Sequence, residues 1–465
     1  MRRILSALLI SLLLSGCTVG PDYKRPTASV PTAHRGPYPD VPFPSTSPSL
    51  GEQKWFDVFQ DQQLQSLIRT ALEQNYDLRI AATRVLEARA QLGITRADQY
   101  PQLSAEASLG AQRTPKGPVF PPLEQSTGQL NLAGSWQLDF WGRYRRATES
   151  ARASLLATEW GQRAVVLSLV ANVASAYFQL RALDLQLEIS RNTLTARRES
   201  LRLITILADH GNTSQLDVRQ GEQLVYTASE EIPDLERRVQ QQENLISTLL
   251  GNNPGPIARG LAITEQPHSP DIPPGLPSEL LERRPDIRQS EQQLVAFNAE
   301  IGVARSAYYP QIALTGTGGF QSDALTRLFG GPAGLWSFAG SLTQPIFTAG
   351  RIRSSVKFAE ARQQEAVLTY QQTIQQAFRE ASDALIAYKK NQEFRQQQEL
   401  LTASAQDAAR LSNIRYKGGV TSYLEVLTNE TNYFSAELNL AQAQANELIA
   451  LVQIYQALGG GWQQQ

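Results

Sequence analysis

The sequence predicts a mainly α-helical chain with a membrane β part, four transmembrane strands per subunit and the whole pattern written twice. Three observations predict it: an internal repeat, four stretches of apolar/polar alternation, and two very long segments free of proline.

The repeat organises the rest. Asp77, Arg79, Ala90, Gly93, Arg96, Tyr100, Pro101 and Gln102 recur as Asp286, Arg288, Ala299, Gly302, Arg305, Tyr309, Pro310 and Gln311, each 209 positions later. Gly142-Arg143 returns as Gly350-Arg351, Gly211 as Gly419, Ser214 as Ser422, Leu216 as Leu424, Val218 as Val426 and Leu250-Gly251 as Leu458-Gly459, each 208 later. The first repeat spans 55–251 and the second 278–459, with a Pro/Gly-rich linker at 252–277 and a short tail at 460–465.

Both repeats change character in the same order. Residues 77–99 and 286–308 read as helices that stop at Tyr-Pro, because the residue before proline is pushed out of the helical region. The period then becomes two. Leu103, Ala105, Ala107 and Leu109 alternate with polar residues, as do Leu130, Leu132, Trp136 and Leu138, then Ile312, Leu314 and Phe320, then Trp336, Phe338 and Leu342. Strands are expected at 101–113, 127–140, 310–321 and 335–347, paired by Pro/Gly-rich loops at 114–126 and 322–334.

Next come two helices of unusual length, 143–208 and 351–417, each about 100 Å at 1.5 Å per residue. The first carries a heptad seam, Leu169, Val173, Ala176, Leu180, Leu183, Leu187, Leu194, Leu201 and Ile204, which needs helical partners along its length. Turns at 209–215, with Gly211, and at 418–421, with Gly418 and Gly419, lead into return helices at 216–250 and 422–458. Pro233 is expected to kink the first return helix.

Composition agrees. Aromatic residues are 8% and charged residues 19%, which suits long helices better than compact globular domains. Lys plus Arg (43) nearly balances Asp plus Glu (44), so no nucleic-acid partner is implied.

The N-terminus carries an address. Met1, Arg2 and Arg3 precede the apolar run Ile4 to Leu14, which would rise only about 16 Å as a helix, half a bilayer core. Residues 1–16 therefore read as a cleaved export signal. Leu14-Ser15-Gly16-Cys17 resembles the lipobox of bacterial lipoproteins, which implies an acylated Cys17 as the new N-terminus. Cys17 is the sole cysteine of the sequence, and an unpaired thiol in an oxidising compartment needs a reason to survive. Residues 17–54, rich in Pro, Ser and Thr, read as an extended lipidated tether.

No apolar run beyond residue 14 reaches the ~20 residues of a membrane helix, so a membrane crossing falls to the strands. Alternation would turn Leu103, Leu109, Trp136 and Phe338 toward lipid; a soluble sheet with one buried face is the alternative. Four strands cannot close a barrel in lipid, so the subunit must share one with its own copies.

At this point the residues resemble a known family, the TolC-like outer-membrane factors, in the efflux-pump lipoprotein branch (NodT/OprM-like). The resemblance rests on Val19-Gly20-Pro21-Asp22-Tyr23-Lys24-Arg25-Pro26, on Gly275-Leu276-Pro277-Ser278 through Arg283-Arg284-Pro285-Asp286-Ile287, and on Arg415-Tyr416-Lys417-Gly418-Gly419 through Ser422-Tyr423-Leu424-Glu425-Val426-Leu427. It implies a homotrimer with a 12-stranded barrel continuous with a long periplasmic α-helical barrel. It also implies a periplasmic adaptor and an inner-membrane efflux pump as partners, outer-membrane lipid around the strands, and a passive exit duct for drugs or other small molecules. Export of polypeptides, or a lipid-anchored periplasmic coiled-coil scaffold, are the competing functions.

The resemblance also implies a gate at the periplasmic tips. Asp217 and Tyr416 match the family's tip residues, and Glu425 matches its first aperture acid. The second aperture-acid position holds Thr428, and the basic partner's position holds Thr421 with Arg415 and Lys417 nearby. Asp217 and Glu425 equally read as acids that start helices, favourable at the positive dipole end. Nothing suggests an enzyme, a metal site or a cofactor beyond the lipid on Cys17. His34, His210 and His268 are isolated; His210, before Gly211, reads as a helix C-cap, and Pro285-Asp286 as a helix start.

Overall fold

The computed structural model describes residues 18–31, 35, 50, 53–113, 115, 124–267 and 277–462. The export signal, Cys17, His34, His268, most of the 114–126 loop and Gly275-Leu276 lie outside the described residues. The helices are α1 (Trp55–Val58), α2 (Gln62–Gln74), α3 (Tyr76–Ala97), α4 (Arg143–Asp209), α5 (Gln215–Leu249), α6 (Leu280–Arg283), α7 (Pro285–Ser306), α8 (Arg351–Lys417) and α9 (Tyr423–Ala457). The strands are β1 (Gln102–Arg113), β2 (Glu124–Leu138), β3 (Gln311–Ser322) and β4 (Gly334–Thr343). Contacts group these into two units. One combines Arg84–Glu159 with Gln289–Gln371 and takes in residues up to Thr27; the other combines Ala28–Thr83, Trp160–Arg288 and Gln372–Gln465.

The first unit holds the sheet, antiparallel throughout in the order β1-β2-β3-β4. Glycines make room where leucines cross the ladder: a Cβ on Gly134 would lie 3.1 Å from Leu103 Cδ2, and one on Gly128 3.3 Å from Leu109 Cδ2. Two strand ends differ from the sequence expectation by three residues or more. β2 begins at Glu124 because the ladder reaches Arg113, whose Nε sits 3.3 Å from Glu124 Oε1. β4 stops at Thr343 instead of 347, just short of Pro345, which has no N–H to give a ladder.

The same unit holds the first part of the extended segment in place. Residues 19–25 are extended but pinned as a strap. Val19 N–H donates to Trp141 O at 3.1 Å, Asn298 Nδ2 to Pro21 O at 2.9 Å, and Arg146 Nη2 to Asp22 at 2.8 Å. Arg25 grips both oxygens of buried Glu291 at 2.8 Å each, and Tyr23 Oη donates to the same carboxylate at 3.3 Å. Glu291, Asn298 and Gly302 recur at spacings of seven and four, one face of α7. Gly20, at φ +111, rides directly over Gly302, where a Cβ would fall 2.5 Å from the Gly302 Cα. Glu291→Ala should loosen the strap by about 1–3 kcal/mol and speed tryptic cleavage after Lys24; unchanged cleavage would show that the strap is held elsewhere.

The second unit is helical around one core. The heptad seam of α4 is buried at Leu169, Val173, Ala176, Leu180 and Leu183, packed with Leu235, Val239 and Ile246 of α5 and with Ala445, Leu448, Leu451, Val452 and Tyr455 of α9. α4 does contain an 18-residue window apolar enough for a membrane, but 61% of it is buried, so this core accounts for its apolarity. α5 continues on both sides of Pro233. The interrepeat linker is docked, with Ile257 and Ile263 in the core.

Asp61 is the node of that docking. It caps α2 through Gln63 and Leu64 N–H and also accepts from Tyr177 Oη (2.8 Å), Leu261 N–H (3.0 Å) and Gln266 Nε2 (2.9 Å). Burial pushes its carboxyl pKa up, but the hydrogen bonds from Gln266, Tyr177 and the two backbone amides outweigh that and hold it below the usual value. The tail is docked as well. Trp462 donates Nε1–H to Arg283 O at 3.2 Å and meets Trp160 edge-on at 5.6 Å, with the Arg163 guanidinium over both rings.

Candidate functional site

Two features can carry function, a turn region at the ends of the long helices and an uncovered apolar sheet face. The turns close alike. Gly211 and Gly419 both sit at φ +73, where a side chain would be strained, and the following residue reaches back: Asn212 N–H to Leu207 O at 2.8 Å, Val420 N–H to Arg415 O at 3.1 Å. His210 bonds Ile206 O through Nδ1 at 2.7 Å, the helix-end role its sequence position suggested.

The structure brings Asp217 and Tyr416 together through a third residue. Thr213 Oγ1 donates to the Asp217 carboxylate and lies 3.1 Å from Tyr416 Oη, so it bridges the first turn to the last turn of α8. Tyr416 meets Tyr423 edge-on at 5.1 Å, over a small core of Ile204, Val218, Leu224 and Val426. Burial, with Glu430 and Tyr416 nearby, pushes the Tyr423 pKa up, so its hydroxyl stays neutral. Glu425 does not join this bridge. Thr421 donates to it, and Arg415 Nε sits 3.2 Å from its Oε1, an exposed pair worth about 0–1 kcal/mol. Arg415 thus supplies the charge that position 421 lacks. Thr428 spends its hydroxyl on Leu424 O at 2.9 Å. Asp217 and Glu425 also occupy the first turns of α5 and α9, the helix-start position the sequence suggested for them.

Sequence reasoning missed Thr213, Tyr423 and Arg197. The Arg197 side chain is buried, donating to Leu224 O at 2.8 Å and Glu430 O at 3.2 Å with its guanidinium 4.8 Å from the Phe434 ring. It ties α4, α5 and α9 behind the turns. Desolvation pushes its pKa down. A lone arginine in a charged helical sequence gave no signal of this; only an apolar neighbourhood at heptad spacing could have.

The register sorts the sheet into two chemistries. Leu103, Ala105, Ala107 and Leu109 share a face with Leu130, Leu132 and Trp136, then with Ile312, Leu314 and Phe320, then with Trp336, Phe338 and Leu342. The other face carries Gln102, Ser104, Glu106, Asn131, Ser135, Thr315, Thr317, Ser337 and Ser341. The apolar face is open: Leu103 is 85% exposed, Trp336 83% and Phe338 70%. A contiguous apolar surface of this size needs a lipid or protein cover, and among the described residues most of it stays open, with Phe329 meeting Phe320 edge-on at 5.6 Å. The alternative of a soluble sheet with that face buried fails here.

The comparisons with known proteins decide between lipid and protein. The sequence pattern of the outer membrane efflux protein family matches the chain twice, at residues 67–252 and 276–460, once for each repeat. The chain belongs to that family. It is 36% identical to the probable efflux pump outer membrane protein TtgC of Pseudomonas putida, over 100% of this chain and 96% of the relative. It is 37% identical to the cation efflux system protein CusC of Escherichia coli O157:H7, over 98% of both. Among solved structures, the open state of the Neisseria gonorrhoeae MtrE outer membrane channel superposes with a TM-score of 0.87 at 32% identity, covering 96% of this chain and 99% of that one. The family places this protein in the outer membrane as an efflux channel, mainly helical with a small membrane sheet. The role is transport, and the apolar sheet face meets lipid.

Proposed function

We propose that the protein is the passive exit duct of a tripartite efflux system, a homotrimer whose subunits each lend four strands to one closed 12-stranded barrel. The observation that carries this is the sheet itself, with one apolar face, one polar face and two outer strands that each have a single neighbour. In lipid such edges must be paired, and three copies bring the strand number into the range of membrane barrels. The polar face then lines a water-filled lumen.

Each hairpin leaves from a helix and returns to one, so its open ends share a side of the membrane, which an exported protein places in the periplasm. The long helices α4 and α8 project there, and their turns meet a periplasmic adaptor that links the duct to an inner-membrane pump. Energy and most substrate selection belong to that pump. Relatives named for antibiotic, toluene and cation efflux support small molecules as cargo over polypeptides. The bridge of Thr213, Asp217 and Tyr416, with Glu425 and Arg415 beside it, acts as the gate. A lipid on Cys17 is a second anchor, followed in the chain by the strap that Val19 fixes to Trp141.

The test is mass and retention. In detergent the protein should run as a heat-resistant assembly of three subunits, and a strain lacking it should retain dye. A monodisperse monomer that leaves the membrane without detergent would sink this reading.

A further inference from the structure

The two ends of the sheet carry charge differently. At the loop end the described charges pair off, Arg113 with Glu124 at 3.3 Å and Arg327 with Asp323 at 2.9 Å. At the helix end Arg96, Arg143, Arg351, Arg353 and Lys357 are exposed, and among the described residues none has a carboxylate partner. Asp98 is the one exposed, unpaired acid described beside them. The chain as a whole balances 43 basic against 44 acidic residues, so this positive excess is local.

Helix physics disfavours cations where these stand. The positive end of a helix dipole prefers an acid in the first turn, and α3, α5, α7 and α9 comply with Asp77, Asp217, Asp286 and Glu425. The two helices that leave the sheet, α4 and α8, have no acid there and begin on arginine. The repeat writes this twice, as Gly142-Arg143-Tyr144-Arg145 and as Gly350-Arg351-Ile352-Arg353. Arg145 has Asp139 at 3.4 Å, but the counterpart of Asp139 is the exposed Phe347, which leaves Arg353 without an acid. An intrachain role for these cations is therefore missing, and a negative partner outside the chain would supply one.

The position of the rim says what that partner is. Tyr100, Tyr308 and Tyr309 are exposed where the strands begin, and Phe320, Phe329 and Trp336 are exposed toward the loop end. Aromatic side chains collect at both surfaces of a bilayer. Tyr309 and Phe320 are eleven residues apart, about 36 Å of strand, or about 27 Å of membrane height at the tilt of outer-membrane barrels. That matches the apolar band of such barrels, about 25 Å. The unpaired cations thus stand at headgroup level, directly beyond the sheet whose apolar face meets lipid.

We propose that this basic rim is a docking surface for the anionic headgroups of phospholipids in the periplasmic leaflet. It rests on the topology proposed above, which sets the helix end of the sheet in the periplasm. Guanidinium groups meet phosphate oxygens in a fork of hydrogen bonds, and an anionic leaflet offers many such oxygens at one level. The rim then fixes the depth at which the barrel sits.

Spin-labelled lipids test the rim. The full chain and two variants are reconstituted in phosphatidylcholine vesicles, and the protein-restricted fraction of the label is compared for phosphatidylglycerol and phosphatidylcholine. The parent should favour phosphatidylglycerol by at least about fivefold, the factor that one Lys or Arg contributes at an anionic surface. Most of that preference should vanish in about 1 M salt. Arg143→Gln, Arg351→Gln, Arg353→Gln and Lys357→Gln combined should bring the ratio to about one. In detergent this variant should melt at the parent's temperature or above it, because its helix starts have lost an unfavourable charge. Arg113→Gln with Arg327→Gln, at the loop end, should keep the parent's ratio. A parent ratio near one, or equal loss in the loop-end variant, overturns the rim. So does an unchanged ratio in the rim variant; lost efflux in that case would assign the surface to an acidic protein partner. A trimer that conducts without any lipid preference overturns the rim and leaves the duct standing, whereas a monomeric mass in detergent overturns both.

Discussion

An Asp61→Ala variant should lose about 3–5 kcal/mol of stability and accumulate poorly, the largest effect expected of any single substitution outside the sheet. The carboxylate ends in one buried point the demands of three chain segments: the α2 N-terminus, Tyr177 on α4, and the linker through Leu261 and Gln266. Removing it leaves buried donors with no acceptor, which costs more than the bonds contributed. There is no room to compensate, because Gly260 lies so close that a Cβ there would overlap Asp61. Thermal unfolding of the purified assembly measures the loss.

The effect also has a pH signature. A carboxyl held below its unfolded pKa stabilises fully above that value, about 3.9, and loses its contribution as pH falls through the folded value. The gap between parent and Asp61→Asn should therefore be constant from pH 7 to about 5 and shrink below about 4. A gap that persists at pH 3 would assign the effect to packing.

The second large effect concerns the turns. Removing the Thr213–Tyr416 bridge with Thr213→Ala and Tyr416→Phe takes away one neutral hydrogen bond between the two helix turns and leaves Asp217 without its donor. In the proposed gate, about 1 kcal/mol in each of three subunits shifts the ratio of open to closed states by about two orders of magnitude. Glu425→Ala should act on ions more than on closure, raising conductance and weakening cation block, because the proposed trimer sets three such carboxylates around one pore, where they would attract cations. Equal cation block in parent and Glu425→Ala would remove Glu425 from the aperture.

Much of this was legible in the sequence because it is local or repeated. The turn glycines at 211 and 419, the helix-ending pair at 251 and 459, and the pair at 142 and 350 all sit at positive φ, and each could be found by comparing the chain with itself. Alternation alone sorted Leu103 from Ser104 and Trp336 from Ser337 onto opposite faces. What escaped depends on contacts between distant segments. Thr213 finds Tyr416 across 203 positions, and Arg25 finds Glu291 across 266. Neither partner advertises the other. Proline-rich composition correctly indicated an extended segment after Cys17 but could not show that Asp22, Tyr23 and Arg25 meet their counterparts on α4 and α7. The docked tail was invisible for the same reason, since Trp462 is defined by Trp160 and Arg163, far upstream.

Conductance across a planar lipid bilayer tests the central claim most directly. The purified trimer should insert and give small, discrete current steps, and the Thr213→Ala, Tyr416→Phe variant should give steps of the same polarity with far higher open occupancy. A folded trimer that binds the bilayer yet leaves its resistance unchanged, in both parent and variant, would contradict the account.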